Sequence, residues 1–192
     1  STIRTAALLG IEAYPVSLEV DLSRQGMPAF SMVGLAEGAV RESKERVFAA
    51  LKNCGFTLPP ARITVNLAPA DVRKEGSAYD LPLALALLAA AGMLDPERLE
   101  GYYLAGELSL TGDLKPVAGA LPLAIQASAD KAKGVLTPAD NAAEAAVVKD
   151  VAVYGPANLA QAVRFFSGGD GLAPVTSDIA ALWDQRQDHG VD

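Results

Sequence analysis

The sequence predicts an α/β sandwich, in which helices pack against a β-sheet, and three observations favour it. Short apolar strands alternate with helical segments through the second half of the chain. Residues 16–22 alternate apolar and polar side chains, as a strand with one buried face does. The 192 residues are 51% hydrophobic, which is enough for a single buried core. We therefore expect one folded domain over residues 1–166 and a polar linker or tail over residues 167–192, where glycines and a proline interrupt the pattern.

The first half of the chain is expected to contribute strands and one amphipathic helix. The predicted elements are strands at residues 3–11, 16–22 and 30–33 and a helix at residues 39–53. We place the turn between the first two strands near Tyr14 and Pro15, because proline favours turns. Gly55 is a natural end for the helix.

The middle of the chain joins an apolar strand, a charged loop and an apolar helix without a spacer. We predict the strand at residues 63–67 and the helix at residues 81–91, which is apolar on nearly all sides and so should be central. Chemistry often sits at such a junction, because loop side chains meet the free N–H groups of a helix start. Asp80 stands where the helix begins, and we predict that its carboxylate caps those N–H groups.

The second half is predicted to contain short strands and three helices. The strands are expected at residues 102–105, 107–110, 114–117, 134–136 and 151–154, and the helices at residues 121–132, 141–147 and 159–166. Thr111, Gly112 and Asp113 form a turn cluster between two of these strands.

The charge distribution is uneven along the chain. The net charge of −7 argues against a domain that clamps nucleic acid through an overall basic surface. Residues 41–74 nevertheless carry seven basic and three acidic side chains, a net charge of +4. One interpretation is a surface that contacts DNA or another anionic partner, and its candidate residues are Arg41, Lys44, Arg46, Arg73 and Lys74. The other is a solvated helix stabilised by charge pairs.

Several kinds of site are excluded or disfavoured by the residues present. The chain has neither a G-x-x-x-x-G-K-[ST] motif nor a G-x-G-x-x-G motif after a strand, and we interpret Gly34 and Gly38 as hinge positions. The only histidine, His189, lies in the polar tail, which disfavours a serine triad, a Cys–His pair and a histidine-rich metal site. The only cysteine, Cys54, is interpreted as a small helix-end residue. We expect a cytoplasmic protein without a membrane span.

A Ser–Lys dyad needs no histidine and stays open on these grounds. Ser77 lies in the loop before the buried helix, with Lys74 three residues earlier and Lys115 on a later strand. Activation of the hydroxyl requires a desolvated lysine, with a lowered pKa, in direct contact with it. The alternative is a loop serine among charged neighbours.

Three long segments resemble one family. PAFSMVGL at residues 28–35, VNLAPADVRKEGSAYDLPLALALLAA at 65–90 and YYLAGELSLTGDLKPVAGALPLAIQA at 102–127 resemble the N-terminal domain of the ComM (YifB) family. These proteins are magnesium-chelatase-like (ChlI-type) AAA+ ATPases, and the resemblance covers about residues 3–166. The run GELSLTGDLKPV is more distantly similar to the proteolytic domain of Lon and the C-terminal domain of RadA. All three resemblances imply the ribosomal protein S-five domain-2-like fold.

The resemblance to Lon breaks down at the catalytic positions. Lon proteases have a lysine, an acid, a glycine, a proline and then the nucleophilic serine in this loop. In this chain Lys74 matches the lysine, Ser77 stands at the proline and Ala78 at the nucleophile, while the catalytic lysine of Lon falls at or near Leu121. The resemblance therefore implies a degenerate site without a catalytic residue.

ComM-like proteins resemble hexameric ATP-driven motors that promote branch migration of DNA during natural transformation. By this resemblance the chain is a non-catalytic accessory domain that helps to assemble the ring or contacts DNA. The expected partners are its own AAA+ domain, neighbouring subunits and single-stranded or branched DNA, with no membrane. ATP and Mg are expected in an ATPase domain after residue 192, and no cofactor or metal in this chain. The alternatives are a Lon-like Ser–Lys peptidase and, weakest, a fragment of a magnesium-chelatase subunit.

Overall fold

A computed structural model describes residues 2–9, 12–34, 36, 38–71, 74, 76–169 and 171–176, with the backbone alone for residues 2–9, 12–14 and 39. The described residues form nine strands: β1 Thr2–Leu9, β2 Glu12–Ser23, β3 Ala29–Val33, β4 Arg62–Ala68, β5 Tyr102–Leu104, β6 Glu107–Leu108, β7 Leu114–Lys115, β8 Gly134–Leu136 and β9 Val153–Tyr154. They also form seven helices: α1 Gly38–Arg41, α2 Ser43–Asn53, α3 Asp80–Ala90, α4 Pro96–Leu99, α5 Ala120–Ala129, α6 Ala139–Ala145 and α7 Leu159–Phe166.

Seven of the strands form one mixed sheet in the order β3-β4-β2-β1-β5-β8-β9. The antiparallel pairs β1–β2 and β2–β4 lie at its centre, and parallel pairs flank them on both sides. β6 and β7 form a separate antiparallel hairpin around the predicted Thr111–Gly112–Asp113 turn. The molecule is thus a mixed α/β fold, as the sequence predicts.

Two hydrophobic clusters cover the two faces of this sheet. Successive residues of a strand point to opposite faces, and accordingly Leu104 joins one cluster while Tyr103 joins the other. The larger cluster contains α3, whose residues from position 80 to position 89 are all buried. A helix that is apolar on all sides is stable only when neighbours surround it, so its central position follows from its sequence.

Some boundaries differ from the predictions. The turn predicted near Tyr14 and Pro15 is wrong, because both residues lie within β2, where they pair with Ala7 and Ala6 of β1. Pro15 precedes the part of β2 that pairs with β4, which begins at Ser17, so the strand tolerates a residue without an N–H group there. The predicted helix at residues 39–53 is interrupted by a turn at position 42, and the four-residue α4 was not predicted.

Part of the segment after α7 lies against the sheet. α7 ends at Phe166, and the Val175 N–H group donates to the carbonyl of Val153 at 2.7 Å, which places residues near 175 against β9. The rest of the predicted tail, with Trp183 and His189, lies outside the described residues. Among the helices of the described part, none has the length and apolar character needed to cross a membrane.

Candidate functional site

The loop between β4 and α3 is anchored by Lys74, whose side chain is fully buried. Its ammonium donates to the carbonyl oxygens of Gly34 at 2.6 Å, Leu67 at 3.2 Å and Pro69. β3 and β4 are parallel, so their carboxyl ends meet at one edge of the sheet and present these carbonyls together. Three N–H donors meet three acceptors, which leaves the ammonium no donor for Ser77.

Gly34 makes this carbonyl cage possible. A Cβ atom on Gly34 would lie 2.0 Å from the Leu67 carbonyl oxygen, and its φ of +107° is one that L side chains rarely adopt. Gly34 is therefore a position of close backbone approach, and this accounts for its place in the PAFSMVGL segment better than a hinge does.

The environment of Lys74 corrects one prediction. Desolvation by burial lowers the pKa of Lys74, and the nearby charge of Asp71 opposes the shift in part. A buried lysine that is already bonded to carbonyls presents no charge to a partner. The prediction that Lys74 contributes to a DNA-binding or partner surface is thus wrong, because its ammonium holds the loop from inside.

Ser77 and Ala78 line a cleft of about 220 Å³ whose opposite wall is formed by residues 116–119. The N–H group of Gly106 donates to the Ala78 carbonyl at 2.9 Å and fixes the first wall. The amide of Asn141 bonds both the N–H and the carbonyl of Val117, each at 2.9 Å, and fixes the second. The main chain on both sides of the cleft is therefore held in place by hydrogen bonds, from the Gly106 N–H group on one side and from the Asn141 side chain on the other.

The described lining of the cleft offers no base to Ser77. Its lining consists of glycine, alanine, proline, valine and leucine residues together with Ser77 and Tyr79. The Tyr79 hydroxyl is buried without a hydrogen-bond partner, and burial raises its pKa, so it stays protonated at neutral pH. Leu121, where the resemblance to Lon would place the catalytic lysine, is a half-buried residue of α5 and is not among the residues that line the cleft. Among the described residues, the cleft lacks the groups that Ser–Lys chemistry requires.

Asp80 joins three elements and does not cap its helix. Its buried carboxylate accepts from the Ser43 hydroxyl at 2.5 Å, from Arg46 Nε at 2.7 Å and Nη2 at 3.0 Å, and from the Leu108 N–H group at 3.0 Å. The cap position of α3 belongs to Tyr79, which makes no side-chain cap bond. The prediction of a capping carboxylate is wrong, because these partners on α2 and β6 take both oxygens.

The electrostatics of this network follow from burial and from the ion pair. Burial raises the pKa of Asp80, although the bonds from Arg46, Ser43 and the Leu108 amide oppose this shift. The hydrogen bond to Asp80 is the main cause that raises the pKa of Arg46. Arg46 is therefore a cation committed to the interior contact, and only 19% of its side chain is exposed.

The structure describes four of the five predicted surface cations, and two of these four are exposed. Arg41 is exposed and its Nε donates to the Ala36 carbonyl at 2.8 Å, while Lys44 is exposed and its Nζ lies 5.4 Å from the Phe30 ring centroid. Arg73 lies outside the described residues. The structure thus places Arg41 and Lys44 on the surface, turns Arg46 towards Asp80 and buries Lys74.

Cys54 is the C-cap residue of α2, in agreement with its interpretation as a helix-end residue. Its Sγ lies 3.8 Å from the Thr111 carbonyl, and burial, followed by the charge of Asp113, raises the pKa of the thiol. No group of three or more His, Cys, Asp or Glu side chains suited to a metal ion occurs among the described residues.

Comparisons with known proteins match the part of the chain that contains the three segments described above. The model of the family ChlI, described as the subunit ChlI of Mg-chelatase, matches residues 18–141. Competence protein ComM of Haemophilus influenzae is 41% identical over 177 residues, which cover 92% of this chain and 34% of ComM. The chain belongs to the ChlI-like ComM/YifB family. The resemblance of the sequence to the ComM/YifB family is confirmed.

Other members of this family match in the same way. YifB of Salmonella typhimurium is 41% identical over 180 residues, which cover 93% of this chain and 35% of the relative. YifB of Escherichia coli is 49% identical over 127 residues, 66% of this chain and 25% of the relative. The chain spans about a third of the length of the curated ComM and Salmonella YifB proteins that it matches.

Proposed function

We propose that this ComM/YifB family chain is a non-catalytic accessory domain that works by contacting partners. The observation that carries the proposal is the state of the loop before α3. Lys74 is held by three main-chain carbonyls, and Ser77 lines a cleft in which none of the described residues is a base. We also propose a ribosomal protein S-five domain-2-like, Lon-like fold, supported by the mixed sheet and by the buried helix that follows the loop.

The proposal includes a larger protein around this domain. The relatives are about three times longer than the matched segment, and one of them is named a competence protein. We propose that an AAA+ domain follows, that it binds ATP and Mg, and that the full protein is a hexameric motor for DNA branch migration. In that arrangement the partners of this domain are its own AAA+ domain, the neighbouring subunits and DNA.

The charges of the described surface favour a protein partner over direct DNA contact. Lys74 and Arg46 are used inside the molecule, whereas Arg41 and Lys44 remain exposed beside the exposed acids Glu42 and Glu45. A surface with so little net positive charge gains little from counterion release on DNA. Ring assembly is therefore the first proposed role, and DNA contact through Arg41 and Lys44 is the second.

A peptidase assay tests the non-catalytic assignment. The 192-residue chain and its Ser77→Ala variant are incubated with a fluorescein-labelled unfolded protein and with short fluorogenic peptides. We expect equal, background release of fluorescence from both, because none of the described residues that line the cleft can deprotonate Ser77. Cleavage that disappears in Ser77→Ala would overturn the assignment.

A binding titration tests the DNA role. Anisotropy of labelled forked DNA is measured over a salt series for the wild type, for Arg41→Glu/Lys44→Glu, and for Lys149→Glu as an exposed control lysine beyond α6. Direct contact predicts weak, salt-sensitive binding that the double variant loses and the control keeps. If the double variant binds as the wild type does, these two residues have no DNA role.

A further inference from the structure

An apolar groove lies between β3, the start of β4, α2 and the loop at residues 56–61; we call it the β3 groove. Its volume is about 620 Å³, and much of its floor is made by Phe30, Phe48, Leu58 and Ile63. Phe30 and Phe48 meet edge to face, with ring centroids 5.8 Å apart. The groove is thus an apolar surface that is separate from the cleft beside Ser77, because the two share no lining residue.

The charged side chains that line the groove, among the described residues, are all basic. Exposed Lys44 and Lys52 both line it, and no described acidic residue does. This contrasts with the net charge of −7 on the chain as a whole. Lys44, Phe48 and Lys52 are spaced four residues apart on α2, so they form one stripe along the helix.

The groove adjoins an open strand edge. β3 is the terminal strand of the sheet and pairs with β4 on one side. The Ala29 N–H group donates to the Ala61 carbonyl, so by alternation the main-chain groups of Phe30 and Met32 point to the other side. No other described segment is paired with that side, whereas at the far end of the sheet Val175 bonds to Val153 of β9. An unpaired edge is a template for another strand.

We propose that the β3 groove binds an extended, acidic and apolar peptide segment of a partner protein, which adds a strand to the free edge of β3. Its main chain bonds to Phe30 and Met32, alternate apolar side chains enter the groove, and flanking carboxylates meet Lys44 and Lys52. This inference rests on the proposed function, because it identifies the chemistry of the protein partner that an accessory domain contacts.

Other occupants fit these observations less well. Two copies joined through the same edge would bring four lysines to one interface, and like charges at an interface are unfavourable. DNA would gain from the two lysines but would leave the phenylalanine-lined floor without an apolar partner. An extended segment with apolar and acidic side chains would pair with the strand edge, cover the phenylalanine-lined floor and neutralise the two lysines.

Binding of three matched peptides tests the proposal. The first has three leucines alternating with threonines, flanked on each side by two glutamates. The second replaces the glutamates by lysines, and the third keeps the glutamates but carries N-methyl groups on the amides that would face β3. Fluorescence anisotropy with the 192-residue chain should show at least tenfold tighter binding of the first peptide than of the other two.

Protein variants and amide exchange locate the site. Lys44→Glu/Lys52→Glu should reverse the preference between the glutamate and lysine peptides, and the control Lys115→Glu/Lys149→Glu, with the same change in charge at exposed sites, should preserve it. On binding, amide exchange measured by NMR should slow at Phe30 and Met32.

The outcomes separate this proposal from the proposed function. Equal affinity for the glutamate and lysine peptides, or a glutamate preference that survives Lys44→Glu/Lys52→Glu, would overturn the groove assignment and leave the non-catalytic assignment standing. Serine-dependent cleavage of any peptide would instead overturn the proposed function. Self-association of the chain that is abolished by Lys44→Glu/Lys52→Glu would assign the groove to a second copy and reject the acidic segment.

Discussion

Replacing Asp80 by alanine should destabilise the domain far more than the loss of a helix cap would. The substitution removes the acceptor of the Ser43 hydroxyl, the Leu108 N–H group and the Arg46 guanidinium. Two of these donors are buried and neutral, and each costs about 1–3 kcal/mol when it is left unsatisfied.

The contribution of Arg46 must be discounted because 19% of its side chain is exposed, so water can reach part of the guanidinium. Breaking a buried pair by removing one partner costs about 3–5 kcal/mol, and we expect Asp80→Ala to fall in that range. A lost cap would cost about 1 kcal/mol. The magnitude therefore distinguishes a carboxylate that joins three elements from one that caps its own helix.

Glu42 provides the matched control for this experiment. Its carboxylate also faces Arg46, at 3.8 Å from Nη1, but 74% of its side chain is exposed. Exposed ion pairs contribute about 0–1 kcal/mol, so Glu42→Ala should change stability little. Urea unfolding followed by far-UV circular dichroism gives the free energy of unfolding for each variant. A loss below about 1 kcal/mol for Asp80→Ala, or equal losses for the two variants, would refute the bridging role.

Three further predictions concern the loop cage and the thiol. Burial lowers the pKa of Lys74 below its ordinary 10.5, so between the lowered pKa and 10.5 the unfolded chain binds more protons than the folded chain. The free energy of unfolding of the wild type should therefore rise relative to that of Lys74→Met as the pH approaches 10.5. A difference between the two proteins that is the same at pH 8 and pH 10, measured by urea unfolding, would contradict this. Gly34→Ala should lower the free energy of unfolding by about 2–4 kcal/mol, since its Cβ would meet the Leu67 carbonyl. Gly26→Ala, at a φ of +86° but with open space around it, should lower it by about 1–2 kcal/mol. Equal losses for the two variants in urea unfolding would argue against the close approach at Gly34. The raised pKa of Cys54 should make it react more slowly with iodoacetamide in the native chain than in urea, and equal rates, read from this single cysteine by mass spectrometry, would contradict the effect of burial.

The elements that the sequence predicts well are those whose signal is local. The strand at residues 134–136 and the helix at residues 159–166 match the structure at both ends, because turn residues bound them closely. The buried position of α3 follows from its apolar run alone. Pro15 misled the prediction for the same reason, because its local preference for turns was outweighed by pairing with β1.

The features that the sequence did not predict depend on residues far apart in the chain. The cage of Lys74 needs a carbonyl of Gly34, 40 residues away, and the carboxylate of Asp80 needs donors 34 and 37 residues away on α2. A lysine in a charged loop is expected on the surface unless the carbonyls that surround it in the fold are known, which is why the sequence alone predicts an exposed Lys74. The groove, by contrast, left a local signal in the four-residue spacing of Lys44, Phe48 and Lys52.

The two faces of α2 connect the interior of the domain with its free surface. Ser43 and Arg46 point inward and bind Asp80, while Lys44 and Lys52 point outward and line the β3 groove. Lys74 in the loop and Asp80 at the start of α3 use their hydrogen-bonding groups within the protein, so neither keeps a free donor or lone pair for a substrate. The bonds from Asp80 to Ser43 and Arg46 also hold α2 in position, and α2 is the helix that lines the groove. On our proposal, a junction that serves catalysis in other α/β proteins supports a partner-binding surface in this chain, because the same aspartate that begins α3 also holds the helix that lines the β3 groove.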